Sequence, residues 1–138
     1  MNYLSKSYVY FTFYGENFNP NEFTNLIKIS PSKLGYKGEK GTYGSILQDS
    51  FWEYKMKETD ALEGLEYSMQ NLIELFQEKI ELIKSYSLKN NVQSKCFVVI
   101  KIQNNEDTGV ALNSQFIAFL HKLKMTLEVS NYIDEEAG

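Results

Sequence analysis

The chain contains no arginine: all fourteen of its cationic side chains are lysines, set against eighteen carboxylates for a net charge of −4. Arginine is the side chain whose planar fork matches phosphate oxygens and base edges. An acidic chain without it also lacks the counterion-releasing surface that supplies most nucleic-acid affinity. No nucleic-acid partner is expected.

Cysteine and histidine are nearly as scarce, with Cys96 and His121 the single copies of each. One cysteine forms no internal disulfide, which fits a reducing compartment. Cys96 lies in the strand-like run Cys96–Ile100 with no acidic or histidine partner beside it in sequence, so it reads as a small buried apolar side chain. His121, between Leu120 and Lys122 on an amphipathic helix, reads as a surface or boundary residue. A zinc site wants several such ligands, and a nucleophilic or acid-base enzyme wants a base, a nucleophile and an orienting group within reach. No catalytic residue, metal site or cofactor is therefore expected. Glu74, Glu78 and Glu81 lie largely off the apolar stripe of their helix, and Glu106-Asp107 lacks the ligand ladder of a calcium loop, so these carboxylates read as solvated.

Long hydrophobic runs are missing too. No stretch approaches the ~20 apolar residues of a membrane helix, and the apolar start Tyr8–Tyr14 is short, Tyr-rich and without the small-residue cleavage pattern of a signal peptide. Neither a membrane nor export is expected, and the expected location is the cytoplasm.

What is present suits one domain: 138 residues, of which 43% are apolar, build one continuous core. In Tyr8–Tyr14, Val9, Phe11 and Phe13 alternate with Tyr8, Tyr10, Thr12 and Tyr14, the period of a strand with two distinct faces. Phe18-Asn19-Pro20-Asn21-Glu22 reads as a helix start, with Asn19 as cap, Pro20 in the first position and Glu22 closing a capping box, the helix running to about Ile27. Gly35, Gly38, Gly41 and Gly44 with Lys33, Lys37 and Lys40 make residues 33–44 an aperiodic loop. Trp52, Tyr54 and Met56 then share one face of a second strand, with charges on the other.

From Asp60 to about Tyr86, Leu62, Met69, Phe76 and Ile83 recur every seven residues, joined by Leu65, Leu72, Ile73 and Ile80, and Asp60 with Glu63 forms a capping box. This predicts one long helix, ~40 Å at ~1.5 Å per residue, enough for one end to protrude or break. Its stripe suits packing on a sheet better than a coiled-coil seam. Lys95–Ile102 reads as a third strand, residues 103–108 as a polar loop, Asn113 as the cap of another helix, and Met125–Ile133 as a last strand. The predicted fold is α+β: a mostly antiparallel sheet with helices on one face, two strand–helix–strand halves in a ferredoxin-like pattern joined by the long helix. The domain is expected over residues 1–133, with 134–138 as an acidic flexible tail.

The alternating aromatics of the first strand, Phe18-Asn19-Pro20-Asn21-Glu22-Phe23, Ile29-Ser30-Pro31-Ser32, Lys37-Gly38-Glu39 and Trp52 in a strand together resemble a bacterial family, the domain of unknown function 4279. Asn19 stands where the resemblance leads one to expect aspartate, a conservative cap change. The resemblance implies the fold and brings no activity, substrate or cofactor.

Two surfaces remain as candidates. Tyr8, Tyr10 and Tyr14, with Phe97 and Tyr132 from other strands, fall on the sheet face away from the helices, where tyrosine's apolar body and polar tip suit a protein interface. Lys33, Lys37, Lys40 and Tyr43 of the glycine-rich loop, with Trp52, form a candidate anion or ligand site, although no Gly-Lys-Ser/Thr or following helix makes it a phosphate loop. The functional expectation is a non-enzymatic module that binds a protein partner or a second copy of itself. Neutralisation of a toxin, motivated by size and acidic charge, is one version. The alternative is small-molecule or anion binding, or an unrecognised enzyme, at the 33–44 loop.

Overall fold

Strict alternation in the first strand makes it the spine of the molecule. In the computed structural model, which describes residues 5–61, 63–103 and 109–133, β1 (Lys6–Gly15) buries every second side chain and half-buries those between. It is paired on both sides: Phe13 lies opposite Trp52 of β3 (Ser50–Lys55), and Phe11 lies opposite Cys96 of β5 (Gln93–Ile102), both antiparallel. β2 (Lys33–Gly35) adds to β3, β6 (Thr126–Ile133) adds to β5, and the two-residue β4 (Thr59–Asp60) pairs with the start of β1. The order is β2-β3-β1-β5-β6, antiparallel at each step except β5–β6, which is parallel. The expected mostly antiparallel α+β sheet is thus observed.

Helices cover the face that carries Val9, Phe11 and Phe13. α1 (Pro20–Ile27) starts as its sequence predicts, with Asn19 Oδ1 accepting from the Glu22 N–H at 3.2 Å and Pro20 in the first turn. It ends at Lys28, whose left-handed backbone (φ 59°) lets its N–H reach Thr24 O at 2.8 Å. α4 (Ser114–Lys122) repeats the device, Asn113 accepting from the Phe116 N–H at 2.8 Å.

The single long helix expected over 60–86 is instead α2 (Glu63–Phe76), a 3₁₀ turn at Gln77–Lys79, and α3 (Ile80–Asn90). The start of the expected heptad at Leu62 lies outside the described residues. Asp60 does serve the helix start, its Oδ1 accepting from the Gly64 N–H at 3.1 Å. The break gives the two segments different partners. Phe76, the last residue of α2, packs on Phe11 (centroids 5.2 Å apart) and Tyr54 (5.7 Å). Tyr86 of α3 packs instead on Phe23 of α1 (5.5 Å) and donates its hydroxyl to Asn19 O at 3.3 Å. The apolar stripe of α2 and α3 faces this core, as the sheet-packing reading requires, with Leu65, Met69, Leu72, Phe76 and Ile83 all buried.

The ferredoxin-like detail is not confirmed. A split strand–helix–strand half places its two strands parallel with another strand between them, whereas β1 and β3 are antiparallel neighbours and β5 and β6 are parallel neighbours. The 33–44 stretch is also less loop-like than expected, because it contains β2 and a bridge between Lys40 and Ile46. Residues 134–138 and the loop residues 104–108, Glu106 and Asp107 among them, lie outside the described residues. Among the described residues no helix is long and apolar enough to cross a membrane.

Candidate functional site

Residues directly opposite in a ladder share a face of the sheet, so the register assembles the face turned away from the helices. Tyr8 lies opposite Val99, Tyr10 opposite Phe97 and Tyr14 opposite Gln93; on β6, Glu128 lies opposite Phe97 and Tyr132 opposite Lys101. The five residues expected to form an interaction surface, Tyr8, Tyr10, Tyr14, Phe97 and Tyr132, therefore do share one face.

Their rings lean on one another. Phe97 stacks on Tyr10 at 4.7 Å between centroids, and Tyr10 and Tyr8 lie 6.1 Å apart with planes within 21°. The ammonium of Lys55 sits 4.0 Å from the centroid of Tyr8, with that of Lys101 at 5.7 Å. Tyr10 is thus stacked between Tyr8 and Phe97, and the Tyr14 hydroxyl donates to Gln93 Oε1 at 3.2 Å. Burial pushes the Tyr10 phenol up to about 12, with Glu53 and the other nearby acidic groups adding to it. Tyr8 is raised as well, again chiefly by burial. Two ion pairs lie on this side, Lys101 with Glu58 at 2.5 Å and Lys95 with Glu128 at 3.2 Å. In each pair the hydrogen bond to the carboxylate raises the lysine.

β6 closes one side of the sheet, and here the sequence reading missed something. Its pairing to β5 is unbroken over all eight residues, yet beyond Leu127 every side chain is exposed, including Val129 (50%), Tyr132 (46%) and Ile133 (62%). Alternation over Met125–Ile133 announces a strand but not that the strand lies at an edge, which only the sheet order decides.

The glycine and lysine loop is a small hairpin closed on itself. Gly38 N–H donates to Leu47 O at 2.9 Å, Leu47 N–H to Glu39 O at 2.8 Å and Gly41 N–H to Ser45 O at 2.7 Å, leaving Tyr43 at the tip, 96% exposed. Lys33 donates to Thr42 Oγ1 at 2.8 Å and Lys37 pairs with Glu16 at 2.7 Å, which holds the Glu16 carboxyl below its ordinary value. Lys40 is exposed. Trp52 does not join them. It is fully buried on the helix side, ringed by Phe13 and Phe23, and its indole N–H donates to Thr24 Oγ1 at 2.9 Å.

Two surface grooves lie outside this hairpin, the first of them reaching Tyr14 of the aromatic face. One, of about 540 Å³, runs between the end of α3 and the starts of β5 and β6, past Leu88, Val92, Leu123, Lys84 and Lys124. The other, of about 300 Å³, lies beside Leu65, Glu66 and Leu112. Neither takes a residue of the 33–44 hairpin. Cys96 is fully buried, and burial pushes its thiol up to about 12, leaving no thiolate at neutral pH. His121, Glu74, Glu78 and Glu81 are exposed. Among the described residues no three His, Cys, Asp or Glu side chains gather as a metal site.

A single mixed sheet with helices on one face and a half-buried aromatic row on the other, which no helix of the described residues covers, defines an α+β protein. The sequence profile of the domain of unknown function DUF4279 matches residues 5–134, and the chain belongs to that family. No curated protein and no solved structure matches the chain.

Proposed function

We propose that the chain is a non-enzymatic, cytoplasmic module that binds a protein partner or a second copy of itself through the open side of its sheet and the β6 edge. The observation that carries this reading is β6 itself. It is an eight-residue strand with one ladder filled and, among the described residues, the other open, with Val129, Tyr132 and Ile133 exposed along it. Such an edge is a template for another strand, and native proteins that leave one bare use it or protect it. The neighbouring aromatic row supports the same use, since packed tyrosine edges offer apolar area and hydroxyls at little entropic cost.

Ligand binding at the 33–44 hairpin has less support. Lys33 and Lys37 are turned to Thr42 and Glu16, and Trp52 is buried in the core beneath the helices. The contacts of Tyr8 and Tyr10 with neighbouring rings and with Lys55 likewise disfavour stacking of nucleic-acid bases on those two rings, which needs a free face.

Native mass spectrometry combined with affinity capture tests the reading. The wild-type chain is expected to assemble with itself or retain a protein, and Tyr14→Ala combined with Tyr132→Ala is expected to weaken that at least tenfold. A wild-type chain that stays monomeric and retains nothing would overturn it.

A further inference from the structure

Sheets keep their edges from pairing indiscriminately by shortness, lysine, proline or a bulge. The opposite edge follows this rule, since β2 has three residues and hands on to the closed hairpin. Of such devices β6 carries a single charged side chain, Glu128, which is turned to Lys95 of β5. Its sequence Thr126–Ile133 has no proline and no lysine, and its register to β5 advances without a slip from Lys95↔Thr126 to Ile102↔Ile133, so there is no bulge.

We propose that the open edge of β6 pairs antiparallel with β6 of a second copy, across a twofold axis at Val129, so that one sheet runs through both chains. This rests on the binding-module reading above and names the partner. Charge selects the register. β6 carries one charged side chain, Glu128, and a twofold centred there would set two carboxylates directly opposite, which is destabilising. Centring on Ser130 leaves Val129 opposite Asn131. Centring on Val129 brings the two half-exposed valines together, sets Glu128 opposite the Ser130 hydroxyl, and pairs Tyr132 with Thr126, an aromatic against a β-branched residue. An even register of this kind keeps both helix layers on the same side of the joined sheet.

The net charge of −4 per chain does not oppose this locally. Glu128 is balanced by Lys95 at 3.2 Å, and charges farther than about 8 Å away are largely screened at physiological salt. Closed twofold dimers are also the commonest assembly of identical chains.

Cysteine cross-linking reads the register directly, because Cys96 is fully buried and an introduced cysteine is then the only accessible thiol. Opposed residues in an antiparallel pair lie about 4.5–5.5 Å apart at Cα, within disulfide reach. Under mild oxidation Val129→Cys is expected to give a covalent dimer. Tyr132→Cys alone is expected to give none, since its two copies would lie about 20 Å apart. Mixed with Thr126→Cys chains, it is expected to cross-link across the seam. Light scattering should give the wild-type chain about twice its 16.0 kDa mass and Val129→Lys the monomer mass, with a circular dichroism spectrum and cooperative melting like those of the wild type showing that Val129→Lys is folded.

Cross-linking at Ser130→Cys in place of Val129→Cys overturns the proposal. So does a wild-type chain that is monomeric at every concentration. If that monomer captures another protein and loses it on Val129→Lys, self-pairing fails while the binding-module reading stands. If it captures nothing, both fail.

Discussion

The ammonium of Lys55 on β3 lies 4.0 Å above the ring of Tyr8 on β1 and closes one end of the row that runs through Tyr10 to Phe97. Two strands are thereby tied together on the solvent side of the sheet, where the helices contribute nothing. A lysine over an exposed ring is worth about 0.5–1 kcal/mol. Lys55→Met keeps the apolar stem and removes the charge, so a loss near the lower figure is expected, because Lys101 also reaches the ring at 5.7 Å. Urea denaturation should show a lower midpoint with an unchanged slope. An unchanged midpoint would mean that the charge adds nothing to the row.

Stability should fall in alkali, and the sign follows from which state holds its protons. Burial raises Tyr10 and Tyr86 from 10.0 to about 12 in the folded chain and Cys96 from 9.0 to about 12. The unfolded chain releases these protons first, so their contribution is complete below pH ~9 and is lost as pH rises through 12. Thermal unfolding followed from pH 8 upward, with phenolate absorbance in parallel, checks this. Melting temperatures that stay level above pH ~10, or tyrosines that all ionise near their ordinary value in the folded chain, would contradict it.

A buried tryptophan depends on one helix residue. Trp52 is fully buried and donates to Thr24 Oγ1 at 2.9 Å, while Thr24 itself donates to Pro20 O at 3.0 Å. Thr24→Val keeps the shape and orphans the indole N–H, at an expected loss of ~1–3 kcal/mol, and Thr24→Ser should restore most of it. Calorimetry of the pair decides the point. A valine variant as stable as wild type would mean that the indole finds another acceptor.

Much of this was legible from the chain alone, for identifiable reasons. Period-two alternation in Tyr8–Tyr14 set both faces of β1, and the asparagine caps at 19 and 113 set two helix starts, because these depend on neighbours in sequence. The same alternation grouped Tyr8, Tyr10 and Tyr14, and register then brought Phe97 and Tyr132 to their side. What escaped depends on neighbours in space. The parallel direction of β6 and its place at an edge are set by the sheet order. The break at Gln77–Lys79 occurs without proline or glycine, where the helix changes from packing on β1 to packing on α1. β2 exists only because β3 offers it a ladder. Trp52 was grouped with the lysine loop by closeness in sequence, although its own alternation with Tyr54 and Met56 already pointed it to the core.

Gly64 sets propensity against packing. Alanine in the first turn of α2 would gain ~1 kcal/mol of helix propensity, but its Cβ would overlap the Cβ of Thr59, with Thr59 Oγ1 only 2.5 Å away. Overpacking of this kind costs ~1–3 kcal/mol, so Gly64→Ala is expected to lower the melting temperature. A higher one would show that β4 yields easily.

Association through the β6 edge is most directly read by hydrogen exchange at its amides, measured from dilute to concentrated solution. Protection across Thr126–Ile133 is expected to rise with protein concentration while that of β1, already paired on both sides, stays constant. Exchange at β6 that is independent of concentration, in a chain whose mass remains 16.0 kDa throughout, would contradict self-pairing.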